Sequence, residues 1–215
     1  MNIGILISGR GSNLEAILKA KNAGKIKSNI RVVLSNNPNA QGLKIAKNYG
    51  IKTFYIDPNS FESRESFDQK LIEILQNHSI DLVVLAGYMR ILSDRFIEEF
   101  EGKLINIHPS LLPAFQGLKP QKRALEYGAK YSGCTVHFVT KELDSGPIII
   151  QAVVPILPDD TEETLSKKIL KYEHRIYPQV IKWIEDGRIK QNGRKVIVKN
   201  ARYGTLPTNP ALEDF

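Results

Sequence analysis

The chain has a single cysteine, Cys134, among its 215 residues, so no disulfide can form within it. Its four histidines, His78, His108, His137 and His174, show no metal-ligand spacing, and no metal site is expected. No apolar run reaches the roughly 18 residues that span a bilayer, and the opening MNIGILISGRG reads as a strand without a basic leader or cleavage site. A cytoplasmic protein with no membrane partner is the expectation. Internal repeats and low-complexity segments are missing as well. The basic residues, 30 Lys+Arg against 23 Asp+Glu for a net charge of +7, are dispersed and lack interleaved aromatics. That argues against a nucleic-acid partner and leaves a small polyanion as the kind of ligand the charge suits.

What is present is an alternation of apolar runs with helix-period segments, the mark of parallel strands joined by crossover helices. Strands are expected at Ile3–Ser8, Ile30–Ser35, Lys52–Ile56, Asp81–Ala86 and Lys103–Ile107, and helices near Asn13–Ala23, Gly42–Tyr49, Ser66–Asn77 and Ser93–Phe100. From about residue 130 the pattern changes. Cys134–Val139 and Ile148–Val154 flank the turn Asp144-Ser145-Gly146-Pro147 with no long helix between them, which predicts an antiparallel edge. Asp160 with Glu163 reads as a capped helix start, and Pro178 is expected to kink or interrupt that helix near Tyr177. Asn192-Gly193 signals a hairpin, and the tail after Lys199 is expected to run extended over the surface. The whole is expected to be one α/β domain with a Rossmann-like, mostly parallel sheet and a C-terminal appendage.

Two stretches suggest chemistry. Ser8-Gly9-Arg10-Gly11-Ser12-Asn13 follows the first strand and opens a helix, where backbone N–H groups favour an anion. A third fingerprint glycine is replaced by Leu14, and the second strand ends in Ser35-Asn36-Asn37 rather than a ribose-binding acid, so a single phosphate fits better than a dinucleotide. Gly9 and Gly11 permit close approach, and Ser12 and Asn13 offer caps and side-chain hydrogen bonds. The second stretch is NIHPSLLP, residues 106 to 113. Strand periodicity puts Asn106 and His108 on one face at the carboxyl end of a parallel strand, where open α/β sheets place ligands. An amide can donate to a developing oxyanion, and a histidine can exchange a proton near neutral pH. The pair suits acyl-type transfer. Asp144 sits in what looks like an ordinary turn, yet a carboxylate beside a histidine stabilises the imidazolium and makes it a better acid. Taken alone, Glu173 reads as a solvated helix residue and His137 as a packed strand histidine with a lesser claim to a supporting place near the site.

SGRGSN, LAGYMRIL at residues 85 to 92, NIHPSLLP and the Asp144 turn together resemble the phosphoribosylglycinamide formyltransferases, in this order and over essentially the whole chain. The resemblance implies a metal-free formyltransferase fold that moves the formyl group of 10-formyltetrahydrofolate, a cosubstrate, to the amine of phosphoribosylglycinamide in purine synthesis. It implies that Gly11, Ser12 and Asn13 hold the phosphate and Glu173 the ribose. It gives Arg64, Met89, Arg90, Ile91, Leu92 and Asn106 contacts to the folate, and makes Asn106, His108 and Asp144 the catalytic trio. The expected division is a phosphoribosyl-binding half at 1–100, a catalytic and folate-binding half at 101–187, and a hairpin and tail at 188–215, in a monomer or homodimer. One departure is Lys119-Pro120, where relatives often carry a histidine. Two other readings stay open: a formyltetrahydrofolate hydrolase, against which Pro109 speaks because deformylases carry a second histidine there, and a silent phosphate-ester-binding module.

Overall fold

A computed structural model of the chain describes residues 1–213; Asp214 and Phe215, the end of the expected tail, lie outside the described residues. The chain divides into two compact units, Met1–Asn106 and the part from Ile107 onward. The first unit alternates β1 (Asn2–Ile7), α1 (Ser12–Asn22), β2 (Asn29–Ser35), α2 (Gln41–Asn48), β3 (Lys52–Tyr55), α3 (Arg64–Asn77), β4 (Leu82–Leu85), α4 (Asp94–Glu99) and the start of β5 (Leu104–His108), with a short 3-10 turn at Pro58–Ser60. The strands lie in the order β5-β4-β1-β2-β3 and each neighbouring pair is parallel. Ile3, Ile5, Leu6 and Ile7 of β1 and Leu82, Val83 and Val84 of β4 are almost wholly buried. Their continuous apolar runs are what a parallel sheet covered on both faces requires.

The order has a functional consequence. From β1 the chain winds outward through β2 and β3, then returns to place β4 on the other side of β1, so β1 and β4 flank the topological switch point. The Gly9–Asn13 turn after β1, the segment after β4 and Asn106 on β5 therefore lie toward the carboxyl ends of the first unit's strands. In the second unit, β6 (Tyr131–Phe138) and β7 (Ile148–Pro155) are antiparallel, α6 (Glu162–Glu185) follows, and β8 (Ile189–Asn192) pairs with β9 (Lys195–Val198) in a separate hairpin. The mostly parallel sheet, antiparallel strands and C-terminal hairpin agree with the expected fold class.

Several local expectations need correction. A helix, α5 (Pro120–Tyr127), occupies a stretch where none was expected. The start of α6 is capped not by Asp160 but by Thr161, whose hydroxyl accepts from the Thr164 N–H in a reciprocal capping box, while Asp160 accepts from the Leu157 N–H and pairs with Lys168 at 2.6 Å. Burial outweighs the cost of Pro178. The helix runs through it without interruption, and Ile176, Tyr177, Val180, Ile181 and Trp183 around it are fully buried, which offsets the roughly 3 kcal/mol that an interior proline costs. In the hairpin Asn192 pairs with Lys195, so the two-residue loop is Gly193-Arg194 rather than Asn192-Gly193, with Gly193 taking the positive φ of 57°. The tail is more than a surface strap. Thr208–Asn209 forms β10 antiparallel to β7, and Thr208 is buried.

The end of the tail is fastened by Glu213, whose carboxylate takes two hydrogen bonds from the Arg188 guanidinium at 2.7 and 2.8 Å. Arg188 beside it holds the Glu213 carboxyl below its ordinary value of 4.5. A depressed carboxylate contributes stability above its unfolded pKa and loses it as pH falls through the folded one. Because the pair is partly solvent-screened, Glu213→Gln is expected to cost no more than about 1 kcal/mol at neutral pH and nothing measurable at strongly acid pH, read by thermal melts at both.

Candidate functional site

In the first unit the turn after β1 is built on Gly11, which takes the left-handed φ of 77° and caps α1 without a side chain. The expected caps, Ser12 and Asn13, are instead the first residues of the helix, so the anion-facing N–H groups of its first turn meet no capping side chain from Gly11. Gly11 is tight for a second reason: a Cβ there would lie 2.6 Å from the Cα of Gly42 in α2. The Gly42 N–H also donates to Gly9 O at 3.2 Å. Gly42 was not singled out from sequence, and a lone glycine in a helix-period segment gives no signal of this approach.

The segment after β4 lies toward the same strand ends. Met89 and Ile91 are 70% and 62% exposed, while Leu92 is buried and the Arg90 guanidinium lies 4.9 Å above the Phe67 ring. Two large apolar side chains of this segment are thus left exposed. Arg64 opens α3, is exposed, and pairs with its neighbour Glu65 at 3.2 Å. Asn106 ends the first unit on β5, half-buried, opposite Leu85 of β4 and two residues before His108. The alternation of the strand puts both on one face.

In the second unit His108, His137 and Asp144 come together. Asp144 takes a left-handed φ of 46°, a conformation tolerated best by Asp, Asn and Gly. Its Oδ2 accepts from the Gly117 N–H at 2.9 Å and lies 3.3 Å from His108 Nδ1, and its Oδ1 lies 3.8 Å from His137 Nε2. His108 Nε2 is 3.0 Å from the Phe115 carbonyl oxygen. A carbonyl can only accept, so both His108 nitrogens face acceptors. His137 differs. Its Nδ1 donates to Phe138 O at 2.8 Å, and burial, partly opposed by that bond and by Asp144, pushes its pKa below the ordinary 6.5. Burial thus disfavours a charge on His137, and of the two rings His108 lies nearer the Asp144 carboxylate. The sequence gave His137 only a lesser claim to a supporting place, and the structure puts its ring beside the Asp144 carboxylate.

This depression has a measurable sign. The unfolded chain protonates His137 near 6.5 before the folded one does, so its contribution to stability is full above that pH and is lost as pH falls toward the folded value. His137→Gln is expected to flatten the fall of Tm between pH 7 and pH 5 relative to wild type, measured by calorimetry.

Glu173, read from sequence as a solvated residue, is only 5% exposed on α6 and close enough to Cys134 of β6 to help push that thiol's pKa upward, chiefly a result of burial. A buried carboxylate is costly unless it is paired or hydrogen-bonded. Lys119 is exposed and caps α5 in a left-handed conformation. Among the described residues no group of three or more His, Cys, Asp or Glu is placed to hold a metal ion, and no helix is long and apolar enough to cross a membrane.

A formyl transferase family model matches residues 1–181. The chain is 48% identical over 192 residues to the phosphoribosylglycinamide formyltransferase of Escherichia coli, covering 89% of this chain and 91% of that one. The crystal structure of glycinamide ribonucleotide transformylase 1 from Symbiobacterium toebii matches with a TM-score of 0.91 at 48% identity, covering 92% of this chain and 93% of the other. A formyltetrahydrofolate deformylase from Pseudomonas syringae matches at 30% identity and a TM-score of 0.84, covering 92% of this chain but 65% of the other. A strand-end histidine beside a turn aspartate, a glycine-built turn after the first strand and these likenesses agree: the chain belongs to the formyl transferase family, and within it to the phosphoribosylglycinamide formyltransferases.

Proposed function

We propose that the protein transfers the formyl group of 10-formyltetrahydrofolate to the amine of 5′-phosphoribosylglycinamide, giving the N-formyl product and tetrahydrofolate, as a step of purine biosynthesis. The observation that carries the reading is the Asp144 carboxylate held 3.3 Å from His108 Nδ1, with burial disfavouring a charge on the competing His137. The Gly11-Ser12-Asn13 turn holds the substrate phosphate and Glu173 the ribose hydroxyls. Arg64, Met89, Arg90, Ile91, Leu92 and Asn106 contact the folate.

The chemistry follows from the groups. The neutral amine attacks the formyl carbon, and the carbonyl oxygen takes up negative charge. Asn106 and a protonated His108 donate to that oxyanion, and Asp144 keeps the imidazolium paired. Collapse expels the folate nitrogen, which gains the proton lost by the amine. No step calls for a metal or a covalent enzyme intermediate. We assign residues 1–100 the substrate phosphate and most of the folate contacts, and residues 101–187 catalysis, the ribose contact and the folate contact of Asn106. The protein works in the cytoplasm as a monomer or homodimer on small molecules, without nucleic acid or membrane.

The test is the initial rate with 10-formyltetrahydrofolate alone, with phosphoribosylglycinamide, and with methionyl-tRNA as a control acceptor. Turnover only with phosphoribosylglycinamide is the expected result. Turnover without an acceptor would make the protein a hydrolase, and none with any would make it a binder.

A further inference from the structure

The segment Gly87–Ser93, between β4 and α4, exposes two large apolar side chains and yet is fixed at both ends. At its start the Ser8 N–H donates to Gly87 O at 3.0 Å and the Met89 N–H donates to Ser8 Oγ at 2.8 Å. The same hydroxyl donates to Asn36 Oδ1 at 2.6 Å, and Asn37 Nδ2 donates to Ser8 O at 3.0 Å, so Ser8 is itself held from the end of β2. At the far end the Ser93 N–H donates to Asp68 Oδ2 at 2.5 Å. Asp68 is 1% exposed on α3, next to the Phe67 ring that carries Arg90.

The bond to Ser93 is not a helix cap. Ser93 is the N-cap of α4 and serves the Phe96 N–H with its own hydroxyl, so Asp68 holds the residue that closes the segment rather than the helix that follows. Burial raises the Asp68 pKa while the Ser93 bond and the nearby Arg64 and Arg90 oppose that rise. An acid kept in such a place at a desolvation cost needs a task. Of the segment's own polar side chains, Arg90 rests on the Phe67 ring, while its buried Nε and the buried Tyr88 Oη make no hydrogen bond.

We propose that Ser8 and Asp68 are positioning residues that fix Gly87–Ser93 in the shape that receives formylfolate. The inference rests on assigning this segment to the folate, as above. The two pins differ in reach. Asp68 acts on the segment alone, whereas Ser8 also starts the glycine turn assigned to the phosphate, so its loss disturbs both substrates.

The experiment compares wild type, Asp68→Ala, Asp68→Asn and Ser8→Ala as full chains, by steady-state kinetics in both substrates and by equilibrium titration with 10-formyltetrahydrofolate. Asp68→Ala is expected to raise the KM and Kd for formylfolate about 10- to 100-fold, the range for a lost charged hydrogen bond. The KM for phosphoribosylglycinamide and kcat at saturating folate should change by less than about 2-fold. Asp68→Asn, which keeps an acceptor and folds where the alanine variant fails, should recover most of the folate affinity. Ser8→Ala should raise both KM values. An unchanged folate Kd in Asp68→Ala, or in Ser8→Ala if the former does not fold, overturns the inference, as does a uniform loss of every parameter. Wild type that does not bind formylfolate at all overturns the folate assignment itself, a different outcome from a wild type that binds and variants that bind equally well.

Discussion

Asn106→Ala is expected to lower kcat about 10²–10³-fold with little change in either KM, the signature of an interaction made in the transition state alone. The ground-state formyl carbonyl bears little charge and asks little of an amide donor. The tetrahedral oxygen asks much more. On the proposed mechanism His108→Ala should cost about 10²–10⁴-fold, the range for a lost general acid. The same proposal has Asn106 and His108, two residues apart on β5, serve one oxygen, so the double variant should be scarcely slower than the worse single one. Rapid-quench single-turnover measurement separates this from product release. Equal loss of kcat and of substrate binding in Asn106→Ala would mean that the amide positions the ground state and is not an oxyanion donor.

The second large effect is expected at Gly146, which carries no side chain and is given no part in the proposed chemistry. A Cβ at Gly146 would lie 1.7 Å from Phe138 O and 2.8 Å from Phe138 C, both backbone atoms of β6. Neither can yield, since the Phe138 N–H is itself bonded to Pro147 O at 2.9 Å and the carbonyl takes the His137 hydrogen bond. In Gly146→Ala the turn must back away and carry Asp144 with it. A displacement of about 1 Å at a catalytic group costs about 10²-fold in rate, and forcing a methyl into packed backbone costs about 1–3 kcal/mol in stability. kcat and a thermal melt measure the two parts. An alanine variant with wild-type kcat would show that the β6 contact does not set the position of Asp144.

Much of this was legible in the amino-acid order, and the exceptions share a cause. The first-unit strands could be read because a buried parallel strand is a run of apolar residues whatever it packs against. The pairing of Asn106 with His108 could be read because strand alternation is local. Helix α5 escaped because only Pro120 and Ala124 of its eight residues are buried, so it has almost no apolar stripe; Pro120 in its first turn and Gly128 just beyond its end were the available signals. Thr161 was passed over for Asp160 because both can cap, and only the tertiary placement of Lys168 shows which one is engaged elsewhere. The closeness of His137 to Asp144 depends on how β6 registers against the turn, and the role of Asp68 on where Ser93 falls beside α3. Asp68 and Ser93 lie far apart in the chain, and the turn between His137 and Asp144 folds in a way that strand alternation does not specify, so no simple periodicity encodes either contact.

The contact of Gly11 with Gly42 bears on how such chains can drift. A methyl at residue 11 would meet the Gly42 Cα at 2.6 Å; one at residue 42 would meet Gly11 Cα at 3.2 Å and the Ile7 side chain at 2.4 Å. Neither position has room that the other could vacate, because both are already at the smallest residue. Substitution is therefore closed at the two sites jointly, and the SGRGSN motif has a silent member some thirty residues downstream. A descendant that kept every letter of the motif but enlarged residue 42 would have to spread α1 from α2, and would carry the signature of an anion turn without its shape.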